Sequence, residues 1–264
     1  VTFFMTAALS GPLAGGSAGA EIYPARPITL VVPFGSGGGI DIVARIVADK
    51  LQEKVHQPVV VENRPGGGGM VGTSSVAHAR PDGYTLLLIE ASSVLAQWLH
   101  KKVPFNVETD FTPIAMVATN YLGLFGDASL PANNLAELVR YSKAHPAKLS
   151  VGIPGIGTPH HLAALMFERS TGLELVHVTY RGSPPSVSDL VAGRIPLVWA
   201  VPINVMPFVA QGKAKLLAIS SPRRLAALPH VATVAEQGLP GFDVTLWLGI
   251  AGPAGISAEI VSQL

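Results

Sequence analysis

The sequence predicts an α/β fold in two units, each a mostly parallel sheet flanked by helices. Three observations predict it. Residues 28–45 run as an apolar, β-branched strand, a glycine turn and an amphipathic helix. From 28 to 89 strands and helices alternate as β-α-β-α-β with short connections, the order a parallel sheet needs. At 149–163 the strand, glycine turn and helix recur. The 264 residues are 48% apolar and 13% charged, which supplies a sizeable core and argues against disorder.

Residues 1–20 carry no charge, hold an apolar run from Phe3 to Leu9 and end Ala18-Gly19-Ala20. That small-x-small ending predicts a secretory signal peptide and a mature start near Glu21. Ile28–Val32 reads as a core strand. Ile40, Val43, Ala44, Val47 and Leu51 then fall at helical spacing. Residues 58–62 predict a second strand, 63–69 a turn, 70–79 a short helix and 84–89 a third strand. Lys101–Asp110, polar and carrying Pro104, predicts the first crossing between units. The expected division is 21–107 for the first lobe, 108–220 for the second, and 221–264 for a return to the first. In the second lobe, 114–118 and 121–125 read as strands around Thr119-Asn120. Asn134 caps a helix to Ala144. A helix over 160–171 closes at Gly172, and another over 183–192 closes at Gly193. Strands are expected at 175–178, 195–201 and 216–220. A short helical piece follows at 229–236, then a strand at 243–250 and a helix capped by Ser257. That last helix stops at Leu264 after two turns, so the natural chain is expected to continue past it.

Composition excludes several functions. The net charge is +1 with no basic run, which argues against a nucleic-acid surface. There is no cysteine, so disulfides, thiolate metal sites and a cysteine nucleophile are excluded. His160 and His161 adjoin on a helix and point about a quarter-turn apart, no H-E-x-x-H is present, and no metal is implied. There is no G-x-S-x-G nucleophile elbow and no Walker pattern.

The two glycine turns remain. Gly35, Ser36, Gly37, Gly38 and Gly39 follow the first strand beyond Phe34, and Asp41 sits in the first turn of the helix. Such a turn leaves backbone N–H groups bare at a helix N-terminus, where a carboxylate or phosphate is favoured. It also serves as a plain connection with no ligand. As a dinucleotide fingerprint it is incomplete, since Ile40 takes the third glycine's place. Asp41 reads as a helix-dipole or capping group, or as the partner of a ligand amine or water. Gly155, Gly157 and Thr158 repeat the arrangement, with Thr158 at the N-cap before Pro159. His161 reads as a hydrogen-bond donor near the turn or a packed histidine. Glu90 and Ser92 follow the third strand at the carboxyl end of the sheet, where ligands of such folds bind.

Taken together, the chain resembles the solute-binding proteins of tripartite tricarboxylate transporters, the Bug or TctC family. The resemblance rests on Tyr23-Pro-Ala-Arg-Pro-Ile28, Val31-Val-Pro-Phe-Gly35, Gly37-Gly-Gly-Ile-Asp41, Val61-Glu-Asn-Arg-Pro-Gly66, Pro81-Asp-Gly-Tyr84, Gly155-Ile-Gly-Thr-Pro-His-His161, Val178-Thr-Tyr-Arg-Gly-Ser183, Leu228-Pro, Trp247 and Gly252-Pro-Ala-Gly255. It covers essentially the whole chain after Ala20. It implies a two-lobed periplasmic binding protein fold that closes on a ligand in the cleft between lobes. It implies a small carboxylate ligand, either an organic acid or an acidic amino acid, and the membrane components of a tripartite transporter as partners. It implies a monomer, no enzyme activity and no cofactor, in the periplasm of a Gram-negative bacterium. The loops at Phe34–Asp41 and Ile153–His161 are expected to grip the carboxylate, with Tyr180 nearby. Against relatives, this chain carries Ile153-Pro154 for a common Ser-Ser, Glu90 for a common Thr, and Ala200-Val201 for a frequent Asp-Asn. The pocket is thus expected to be more apolar on one side, and Glu90 would repel a second carboxylate or pair with an amine. A dinucleotide-dependent enzyme and a periplasmic sensor subunit stay open as alternatives.

Overall fold

The computed structural model describes residues 23–145 and 149–264; the signal-peptide expectation at 1–20 lies outside them. In chain order the elements are β1 (Ile28–Val32), α1 (Gly39–Val55), β2 (Val59–Asn63), α2 (Met70–Ala77), β3 (Thr85–Glu90), α3 (Ala91–Leu99), β4 (Phe111–Tyr121), β5 (Gly123–Asp127), α4 (Leu135–Ala144), β6 (Ser150–Ile153), α5 (Pro159–Thr171), β7 (Val176–Thr179), α6 (Ser183–Val191), β8 (Leu197–Ala200), α7 (Pro202–Ala210), β9 (Ala214–Ile219), β10 (Thr245–Pro253) and α8 (Ala258–Gln263).

Among the described residues the strands form two five-stranded sheets, ordered β2-β1-β3-β10-β4 and β7-β6-β8-β5-β9. In each, three strands run parallel and a fourth enters antiparallel: β10 beside β3 in the first, β5 beside β8 in the second. The first sheet packs α1 and α8 on one face through Leu30, Leu86, Leu88 and Ile250, and Val76 and Ala96 of α2 and α3 on the other. The second packs Leu138 of α4 and Phe167 of α5 around Trp199 on one face, and Val187 and Val205 of α6 and α7 around Phe125 on the other. Each lobe thus has helices on both faces, as expected of a sheet whose inner strands read as continuous apolar runs.

Several expectations are corrected. Residues 111–121 form one strand of the first sheet, not of the second unit, while the strand expected at 121–125 is present in the second sheet as β5 (Gly123–Asp127). Leu246 and Trp247 of β10 pair with Asn120 and Thr119, so a partner strand continues through the polar pair read as a break. Pro113 is accommodated because β4 is an edge strand. The crossing expected at 101–110 therefore lies at Leu122, while Phe105 packs in the first lobe. The return expected from 221 begins only at Thr245, because Val234, Phe242 and Val244 pack into the second core. Residues 229–236 are turns rather than a helix. Thr233 and Glu236 cap each other's N–H groups over a single turn that ends at Gly238. Two helices, α3 and α7, were not foreseen.

The two crossings are tied together. Ser220 N–H donates to Leu122 O (2.7 Å), Leu122 N–H donates to Ser220 Oγ (2.9 Å), and Ser220 O–H donates to Val244 O (2.8 Å).

Candidate functional site

The β1–α1 turn is shaped by one buried carboxylate. Gly37 stands at φ +79°, which glycine adopts without strain, and its N–H donates to Asp41 Oδ2 at 2.9 Å. Arg45 donates to both Asp41 oxygens at 3.0 Å, and Asn63 Nδ2 donates to Asp41 Oδ1 at 2.9 Å and to Phe34 O at 3.0 Å. Burial alone would raise the Asp41 pKa, but the hydrogen bonds from Arg45, Gly37 and Asn63 outweigh it and hold the carboxyl below its ordinary value. The first bond of α1 runs from Ile42 N–H to Gly38 O, so the N–H groups of Gly38, Gly39 and Ile40 precede the helical ladder.

The β6–α5 turn repeats this geometry with different chemistry. Gly157 stands at φ +80°, and its N–H donates to His161 Nδ1 at 3.1 Å. His161 Nδ1 thus accepts here, where a hydrogen-bond donor or a packed histidine is expected from the sequence. Thr158 is the N-cap, with its hydroxyl donating to Gly155 O (2.8 Å) and accepting from His161 N–H (3.4 Å). Behind His161 stands His177, ring centroids 5.1 Å apart, whose Nε2 lies 2.8 Å from Glu168 Oε2. Burial and the neighbouring His177 lower the His161 pKa.

Between the turns lies a tight cavity of about 40 Å³. Helix N-termini from both lobes converge on it: Gly38 and Gly39 of α1, Glu90 and Ser92 of α3, Thr158 and Pro159 of α5, Ser183 of α6, and Val201 at the start of α7. Pro184 and Pro202 reduce the donors that α6 and α7 offer, and Glu90 occupies its own helix end, accepting from Ser92 N–H at 3.0 Å. Apolar walls come from Phe34, Ile40, Pro154, Leu246, Trp247 and Leu248. Glu90 is 4% exposed and His160 7%. Burial pushes the Glu90 carboxyl up to about 7, with Ser92 pulling the other way, and pushes His160 down to about 4.

Of the predicted residues, Phe34, Gly35, Gly38, Gly39, Glu90, Ser92 and Thr158 line this cavity. Gly155 and Tyr180 line a neighbouring open depression of about 630 Å³, with Gly68 and His100, and the Tyr180 hydroxyl donates to Asp189 (2.9 Å). Asp41, Gly37, Gly157 and His161 build the turns without lining the cavity, and Ser36 is exposed. Sequence reasoning missed His160, Asn120, Ser183 and Trp247 as lining residues, and Asn204, whose buried amide has no hydrogen-bond partner. The lobes touch where glycines permit it. A Cβ at Gly39 would lie 2.7 Å from Val201 Cγ2, and one at Gly68 2.8 Å from Ile156 O.

Comparison with known proteins agrees with this geometry. The family profile described as tripartite tricarboxylate transporter family receptor matches residues 43–264. The chain belongs to the TctC family. The TctC relative BugT of Bordetella pertussis is 37% identical over 268 residues, 99% of this chain and 79% of that protein. Among solved TctC-like structures, periplasmic binding protein BugD is 36% identical with a TM-score of 0.88, over 91% of this chain and 81% of that one. R. palustris Rpa4515, solved with adipate, is 34% identical with a TM-score of 0.88, over 91% and 81% of the two chains. MatC of Rhodopseudomonas palustris, solved with bound malate, is 32% identical with a TM-score of 0.86, over 91% and 82%. As a TctC protein the chain is a solute-binding protein rather than an enzyme. Among the described residues no helix is long and apolar enough to cross a membrane.

Proposed function

We propose that this protein captures a small carboxylate in the periplasm, between two lobes, and presents it to the membrane components of a tripartite transporter. The observation that carries the proposal is the convergence of helix N-termini from both lobes on one buried cavity. Bare N–H groups of Gly38, Gly39 and Ile40 from one side, and of Thr158 and His160 from the other, are suited to an anion. The adipate and malate of two relatives are ligands of that chemistry. We assign residues 23–121 and 245–264 to one lobe and 122–244 to the other, with Leu122, Ser220 and Val244 as the hinge. A cavity lined by residues this buried opens to solvent only when the lobes part, so binding is hinge closure around the ligand.

The test is calorimetry and thermal unfolding of the whole chain with a panel of mono- and dicarboxylates, and with NAD as control. At a ligand concentration about a hundredfold above Kd, binding stabilises by about 2.7 kcal/mol. For a chain of this size the midpoint should rise by roughly 5–10 °C. A rise with NAD and with no acid would overturn the reading.

A further inference from the structure

Polar groups in the cavity are left short of partners within the protein. Both ring nitrogens of His160 are buried without a hydrogen-bond partner, and Ser92 Oγ has at most the Glu90 carboxylate beside it. Glu90 accepts one hydrogen bond, from Ser92 N–H, and no Lys or Arg lines the cavity to pair with it. Buried polar groups are ordinarily satisfied, so the unpartnered groups that line this cavity point to what fills it. Ser92, His160 and Glu90 offer a hydroxyl oxygen, an imidazole nitrogen and a carboxylate oxygen. All three line one cavity of about 40 Å³. An ammonium group carries three N–H donors and one positive charge, and matches that set. A second carboxylate on the ligand matches it poorly, since it would meet Glu90 as a like charge. Elsewhere the lining is apolar or backbone, apart from Asn120, Ser183 and Thr158.

Resting on the carboxylate reading above, we propose that the ligand is an amine-bearing monocarboxylate: the glycine turns take its carboxylate, and Glu90, Ser92 and His160 take its ammonium. This assigns Glu90 as the residue that selects zwitterions over dicarboxylates. The other titratable group facing the cavity is His160, which stays neutral above about pH 4. Glu90 must be ionised to pair with the amine. With its carboxyl at about 7, amine affinity falls as the pH drops through that value.

The test uses four-carbon probes on the whole chain by titration calorimetry: butyrate, 2-, 3- and 4-aminobutyrate, 2-hydroxybutyrate and succinate. At least one aminobutyrate is expected to bind about tenfold tighter than butyrate. That preference should fall about tenfold between pH 8 and pH 6 in the unaltered protein, while butyrate affinity stays level. Glu90→Gln should erase the preference of aminobutyrate over butyrate, whatever its effect on butyrate itself, and Ser92→Ala should reduce it with Glu90 intact. Succinate or 2-hydroxybutyrate binding tighter than every aminobutyrate, or a preference that survives Glu90→Gln, overturns the assignment. If none of the probes binds, the carboxylate reading itself falls and takes the proposal with it.

Discussion

Asp41 and His161 hold the same place in two turns of unlike sequence. Each sits at the third helical residue and turns back to accept the N–H of the glycine four residues earlier. The sequence showed both residues near the turns but not which way they faced. A residue at that helical position commonly reaches back to the chain before the helix, and this rule would have turned His161 toward Gly157 and left His160 for the cavity. Asp41→Asn should weaken the ion pair with Arg45 and lose an acceptor, lowering stability by about 1–3 kcal/mol in denaturant titrations and loosening the first grip. Glu90 and His160 make a second residue-scale prediction. Glu90 has a folded pKa of about 7 against an ordinary 4.5, so its contribution is fully present below 4.5 and is lost as pH rises to 7. His160 has a folded pKa of about 4 against 6.5, so its contribution is present above 6.5 and is lost as pH falls toward 4. Each amounts to roughly 3 kcal/mol, and between 4.5 and 6.5 they oppose one another. Removing one exposes the other. In melting profiles, Glu90→Gln should lose stability on acidification through that window relative to the parent, and His160→Gln on alkalinisation. Parallel profiles for parent and variants would refute this.

At the scale of elements, the strands and most helices were legible because apolar periodicity and caps agree. Asn134 caps α4 and Gly172 closes α5 as their sequence signals predict. The helices α3 and α7 were illegible for physical reasons. Glu90 is an uncommon N-cap, and α3 follows β3 with no intervening turn. Val201 gives α7 no side-chain cap, and Pro207 lies inside it. Both helices deliver cavity residues, so this part of the site was hidden with them. The glycine turns allow a paired test. Gly37→Ala forces a side chain into a left-handed conformation and should cost about 1–2 kcal/mol. Gly38→Ala meets nothing closer than 3.6 Å and should leave the melting temperature near that of the parent. Equal losses at the two positions would show that backbone strain is not what the turn selects against.

Over the whole molecule, the sequence foresaw two α/β units but misplaced their seam, because the eleven-residue β4 carries no signal that its far half pairs with a strand more than a hundred residues later. In the hinge closure proposed, motion is concentrated at this seam. Gly39→Ala should spare both lobes, since its backbone is ordinary for a helix start, yet set a methyl against Val201 across the cleft. We expect ligand affinity about tenfold lower, a radius of gyration by X-ray scattering that stays at its open value when ligand is added, and recovery on adding Val201→Ala. The order of β10 in its sheet has a separate consequence. The second lobe is assembled from one continuous stretch, whereas the first lacks an interior strand until residue 245 emerges. On a ribosome, β3 and β4 of the first lobe stay unjoined while the whole of the second lobe is made, a delay during which a chaperone has a strand-shaped gap to guard.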